Sequence, residues 1–178
     1  MIIAGERGRR PNPFRHYSVD DEGADRAAQS ECPFCPGREA MTPAEVLAYP
    51  PANGGEPASR WGVRVVPNRF PALRIEGALD KQAEGLYDRM RGVGAHEVVI
   101  ETPEHASDPA RYSDSQMLGV IQAYRDRMTD LLRDSRFRYV LAFKNHGAAA
   151  GATLEHPHSQ IIALPIVPAR LEAELEGA

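Results

Sequence analysis

From residue 63 onward the sequence alternates short β-branched runs with chain breakers, and one long amphipathic segment interrupts them. VRVVPN (63–68), HEVVIET (96–102), FRYVLAFKN (137–145) and SQIIALPIV (159–167) are bounded by Gly, Pro or Asn. Runs of that length and make-up predict strands. Between the second and third lies YSDSQMLGVIQAYRDRMTDLLRDSR, where Met117, Val120, Ile121, Tyr124, Met128, Leu131 and Leu132 recur at three- and four-residue intervals. Arg, Asp and Gln fill the other face, so this stretch predicts an amphipathic helix. Ser113 and Gln116 supply a capping-box signature at its start. Four short strands and one long helix imply the α+β class, an antiparallel sheet with the helix packed on it.

The first third is built differently. Residues 1–60 are rich in Pro, Gly, Arg and acids, and AYPPANGGEPASRWG (48–62) can hardly form regular structure, because Pro and Gly deny it both helix and ladder. A loop-dominated N-terminal region is expected, preceded by a strand-like MIIAGERG. The closing PARLEAELEGA has helical composition but is short enough to need a partner to pack on.

With 178 residues, 42% of them hydrophobic, the chain can bury one substantial core, and a single domain is expected. The formal charge of -4 and the scatter of Lys and Arg among acids argue against a nucleic-acid surface. No apolar run approaches the roughly 18 residues of a membrane span, and the N-terminus lacks a signal-peptide pattern. A cytoplasmic location follows by default.

The two cysteines, Cys32 and Cys35, are spaced C-x-x-C, which excludes a disulfide scaffold. Half a zinc site, a redox pair, or two small buried hydrophobes would each account for them. The redox reading wants a helix start, whereas Pro33 and Pro36 surround this motif. Zinc needs four ligands, and His105 and one of His156 and His158 are available.

LEHPHSQ (154–160) carries those two histidines. On extended chain His156, His158 and Gln160 point one way and Pro157 and Ser159 the other. A strand rise of about 3.3 Å per residue would hold the imidazoles roughly 6 to 7 Å apart, too far for both to bind one zinc easily. Pro157 withholds an amide hydrogen, which places the segment at a strand's beginning or on an edge. The bland alternative is a pair of surface histidines. Upstream, NHGAAAGAT (145–153) is either a tight turn that needs glycine or a loop whose amides can meet phosphate oxygens. GERGRRP, with Arg7, Arg9 and Arg10, is either a solvated basic turn or a phosphate contact.

Taken together, FKNHGAAAGATLEHPHSQIIALP resembles the active-site segment of the galactose-1-phosphate uridylyltransferase branch of the histidine triad superfamily. GERGRRP resembles that family's N-terminal arginine segment, CPFC its zinc cysteines, VPNRFPAL its nucleotide loop and TPEHASDP its third zinc ligand, in the family's order. The resemblance implies that Cys32, Cys35, His105 and His156 hold a structural zinc and that His158 is a nucleophile carrying a covalent nucleotidyl group. It places Gln160 on a phosphoryl oxygen, the loop with Asn145, Gly151 and Thr153 on the developing phosphate charge, and Arg7, Arg10 and Asn68 at nucleotide and sugar phosphate.

The fold it implies is a histidine-triad-like antiparallel sheet with a loop-rich zinc-binding N-terminal region. Residues 1–178 would form a single domain, the N-terminal unit of a normally duplicated protein, acting as a homodimer or with the second unit. The implied reaction moves a nucleoside monophosphate, UMP first, between a nucleotide sugar (UDP-glucose or ADP-glucose) and a hexose 1-phosphate. Ser159 stands where the best-known uridylyltransferases have Gly, and a serine is also found there in related nucleotide-sugar phosphorylases. Phosphorolysis or hydrolysis is therefore the second expectation, and a zinc-stabilised nucleotide-binding half-domain the non-enzymatic one.

Overall fold

The structure is a computed structural model and describes residues 32–51, 59–150, 152 and 154–177. The predicted N-terminal strand, Arg7, Arg9, Arg10, Gly151 and Thr153 lie outside the described residues. Seven strands are present among them: β1 (Leu47–Tyr49), β2 (Val63–Pro67), β3 (Gln82–Glu84), β4 (Tyr87–Arg89), β5 (Ala95–Ile100), β6 (Tyr139–Phe143) and β7 (His158–Leu164). Two helices join them, α1 (Asp114–Leu131) and α2 (Ala169–Glu176). Five strands form one sheet in the order β1-β2-β5-β7-β6, every neighbouring pair antiparallel. β3 and β4 form a separate hairpin.

The four predicted strands and the predicted helix are all present, and the class is α+β. Two strand elements were not expected. Ala48 and Tyr49 belong to β1, where the sequence argued against regular structure. This short edge strand needs no propensity of its own, because it is templated by β2 through the pairs Leu47↔Val65 and Tyr49↔Val63. The β3–β4 hairpin is fully exposed and so carries none of the apolar alternation by which strands are recognised.

Whereas the edge strands β1 and β6 each expose a residue, the central strands of the sheet alternate between two covered faces. On one, Val63, Val65, Val99, Val140, Ile161 and Ala163 pack against Val120, Ala123 and Leu131 of α1. On the other, Val66, Val98 and Ile100 pack against Trp61, Cys32 and Phe34. β5 (AHEVVI) is buried along its whole length, so its two polar residues, His96 and Glu97, must find partners inside the fold. A fully buried Ile161 side chain contributes roughly 1.5 to 3 kcal/mol.

The helix lies a little rotated from the expected stripe. Ala123 is 0% exposed, whereas Ile121 and Leu132 are each 53% exposed. The reason is a polar anchor on the inner face: Arg127 makes a two-pronged ion pair with Glu97 of β5, at 2.6 and 2.8 Å. Small Ala123 lets the helix approach the sheet, and the bidentate pair sets its rotation. Ser113 caps α1 by accepting the Gln116 amide hydrogen at 3.2 Å. The return half of the capping box is missing, because the Gln116 side chain instead donates to the carbonyls of Gly62 and Glu101.

Candidate active site and metal centre

The sheet register sorts the HPHSQ segment. β7 begins at His158, immediately after Pro157, as expected for a residue without an amide hydrogen. Ile100 pairs with His158, Val99 with Ser159 and Val98 with Gln160. His158 and Gln160 therefore emerge on the cysteine-loop face and Ser159 on the helix face. Ser159 is buried there and accepts a hydrogen bond of 2.7 Å from the Tyr124 hydroxyl.

The cysteine loop folds over the start of β7. The Cys35 amide donates to the Cys32 carbonyl, closing a tight turn, and Gly37 takes a positive φ of 82° beyond it. This brings Cys32 and Cys35 to His105 and His156, with one ligand atom of each lying within 4.8 Å of all the others. His156 Nδ1 is 3.7 Å from both sulfurs, and His105 Nδ1 is 3.3 Å from Cys35 Sγ. A tetrahedral zinc with its usual bond lengths has S···N edges of about 3.5 Å, so the donor set fits a four-ligand metal site.

The protonation chemistry agrees. His156 is 0% exposed, and its Nε2–H faces the Thr102 carbonyl at 2.8 Å, leaving the Nδ1 lone pair toward the sulfurs. Burial, above all, pulls its pKa down to about 4, which keeps the ring neutral. Burial pushes the Cys32 thiol up to about 12, with the neighbouring Cys35 adding to it. Such a thiol becomes an anion only beside a cation.

His158 is buried, and its contacts include a hydrogen bond and a ring contact. Its Nδ1 lies 2.8 Å from the His156 carbonyl, and the Phe34 ring meets it edge-on with centroids 5.4 Å apart. A carbonyl can only accept, so Nδ1 carries the hydrogen and Nε2 keeps a lone pair. Gln160 Oε1 is 2.8 Å from Nε2 of His96. Asn68 opens the loop after β2, its amide donating to the His96 carbonyl and its Oδ1 accepting from Phe70. An open cleft of about 660 Å³ has Asn68 and His96 in its wall, but not His158.

Asn145 follows β6 and is half-buried. The next turn is closed by Gly147, whose φ of 77° only glycine adopts readily, and whose carbonyl accepts from Ala150 and Ala152.

Four residues that frame the site were not singled out from the sequence. Beneath β7, Glu101 is buried and receives Lys144 Nζ at 2.7 Å and the Tyr112 hydroxyl at 3.1 Å. Lys144 also donates to the His158 carbonyl. Burial raises both tyrosines and the Glu101 charge adds to it, Tyr124 reaching about 12, so both hydroxyls stay protonated donors. The fourth residue is His96. A His and a Glu inside the apolar run HEVVIET are the signal that could have flagged two of them, since buried polar groups need partners.

Residues 6–168 match the family model described as galactose-1-phosphate uridyl transferase, N-terminal domain. The chain is 33% identical over 182 residues to an ADP-glucose phosphorylase from Arabidopsis thaliana, covering 99% of this chain and 49% of that protein. It is 27% identical to a galactose-1-phosphate uridylyltransferase from Thermotoga maritima, covering 83% and 42%. Among solved structures, the Arabidopsis thaliana ADP-glucose phosphorylase with bound ADP-glucose superposes with a TM-score of 0.68 at 28% identity, over 96% of this chain and 47% of that one. The chain thus spans about half the length of the curated relatives it matches. With its antiparallel sheet, its Cys/His cluster and its match over nearly the whole length, the chain belongs to the galactose-1-phosphate uridyl transferase family, as that family's N-terminal domain.

Proposed function

We propose that residues 1–178 form one domain, the N-terminal unit of an enzyme that moves a nucleoside monophosphate from a nucleotide sugar through a covalent nucleotidyl-His158. The observation that carries this reading is the 2.8 Å contact of His158 Nδ1 with the His156 carbonyl, which leaves Nε2 as the nucleophilic lone pair. Nε2 attacks the α-phosphorus, the bond from that phosphorus to the bridging oxygen breaks, and the sugar phosphate departs with the electron pair. A second phosphate then attacks the same phosphorus and restores the imidazole. Gln160 donates to a phosphoryl oxygen, and Asn145, Gly151 and Thr153 stabilise charge on the phosphate. Arg7, Arg10 and Asn68 bind the nucleotide and sugar phosphates. Cys32, Cys35, His105 and His156 would hold zinc, whose four-ligand closed site gives it a structural role. Two cysteines kept as metal ligands suit a reducing compartment such as the cytoplasm.

The first reading of the substrates is uridylyl transfer between UDP-glucose and a hexose 1-phosphate, with a homodimer or the family's second unit completing the pocket. The 33% identity to an ADP-glucose phosphorylase over 99% of the chain favours a second reading, adenylyl transfer with phosphate as acceptor. Isotope exchange tests both. Labelled glucose 1-phosphate entering UDP-glucose supports the first, and labelled phosphate entering ADP in the presence of ADP-glucose supports the second. Exchange in neither pair contradicts both.

A further inference from the structure

Among the described residues, His96 is the one buried imidazole on the site face that neither the metal cluster nor the nucleophile accounts for. Its Nδ1 lies 2.9 Å from the Ala72 amide nitrogen. A backbone amide can only donate, so Nδ1 is the acceptor and the ring's hydrogen is on Nε2. Nε2 lies 2.8 Å from Gln160 Oε1, which takes that hydrogen. The Asn68 amide nitrogen is 3.1 Å from the same Nε2, but Asn68 cannot turn its oxygen there without giving up the Phe70 amide at 2.9 Å. Gln160 is thus the acceptor, and its orientation is fixed from behind. With its oxygen committed to His96, its NH2 group is the end left for a ligand.

We propose that His96 is a positioning residue for phosphoryl transfer: by holding Nε2–H against Gln160 Oε1 it compels Gln160 to present its amide hydrogens, not its carbonyl, to the phosphate. This rests on the reading that Gln160 meets the reacting phosphate. A carbonyl oxygen turned to the same place would repel the anion, so orientation decides the sign of the interaction. Because Ala72 belongs to the loop that Asn68 opens, the same imidazole ties that loop to β7. The loop's closure and the donor's orientation are set together.

Two substitutions separate the ends of the ring. In His96→Asn the side-chain oxygen can still accept from Ala72 but nothing reaches Gln160; in His96→Gln the terminal NH2 can still donate to Gln160. His96→Asn is expected to slow nucleotidylation of His158 by about 10- to 100-fold with binding of the nucleotide sugar changed less than about threefold, and His96→Gln to recover most of the rate. In a Gln160→Ala background the His96→Asn change is expected to have almost no further effect, which a merely structural role would not produce.

An equal loss in both backgrounds, or no loss from His96→Asn, overturns the proposal. The nitrogen chemical shifts of His96 give a reading independent of turnover. The Nε2–H tautomer is expected in the wild type, and the Nδ1–H tautomer overturns the proposal even where no nucleotidyl adduct forms. Absence of the adduct in the wild type beside the expected tautomer overturns the nucleotidyl-transfer reading and, with it, the catalytic part of this one.

Discussion

His158 Nδ1 lies 2.8 Å from the carbonyl oxygen of His156, so the main chain of one histidine sets the tautomer of the histidine two residues on. His156 is itself drawn toward Cys32 and Cys35. The Cys/His cluster and the proposed nucleophile are therefore one mechanical unit, and what loosens the cluster is expected to misdirect His158 as well.

Elemental analysis is expected to find about one zinc per chain, and chelation to lower the melting temperature by about 10 °C or more, because a structural site's binding energy is folding energy. Zinc uptake by the stripped protein should release about two protons, one per thiol. Unchanged stability on chelation would contradict the structural role.

Lys144 reaches both Glu101 Oε2 and the His158 carbonyl. Lys144→Met should destabilise the fold by about 2 to 3 kcal/mol in urea titration. This is below the full cost of orphaning a buried charge, since the Tyr112 hydroxyl still donates to Glu101. A change within about 0.5 kcal/mol would show that the network does not support β7.

Ser159 faces α1, not the site, and bonds Tyr124. Ser159→Gly should cost about 1 kcal/mol and leave the ratio of rates with UDP-glucose and ADP-glucose within about threefold, under 1 kcal/mol. A tenfold change in that ratio would mean that this position selects the base through the strand.

Gly94 precedes β5, and a Cβ there would run into the Ala163 carbonyl and come within 2.6 Å of Leu73. Gly94→Ala is expected to lose about 1 to 3 kcal/mol by forcing β5 from β7, with His96 displaced from Gln160. An alanine variant as stable as the parent would show that the strand end can yield.

Much of this fold was legible because its signals are local. The β-branched runs and the three- and four-residue spacing from Met117 to Leu131 announce strands and a helix without knowledge of their partners. The alternation of His158, Ser159 and Gln160 likewise follows from strand geometry. What escaped depends on tertiary pairing: β1 exists because β2 templates it, and the rotation of α1 follows from Arg127 meeting Glu97, residues 30 apart in sequence. His96 and Gln160 are 64 apart. The sequence places each on a strand, but only the β5–β7 register brings His96 to Gln160.

Formation of a covalent nucleotidyl-His158 is tested by intact mass measurement after incubation with UDP-glucose and, separately, with ADP-glucose. The zinc-bound protein is expected to gain one nucleoside monophosphate from at least one of them, and His158→Ala to gain none while keeping its zinc. A folded, zinc-bound wild-type protein that gains no mass from either sugar, or a His158→Ala variant that still gains it, would contradict a covalent role for His158.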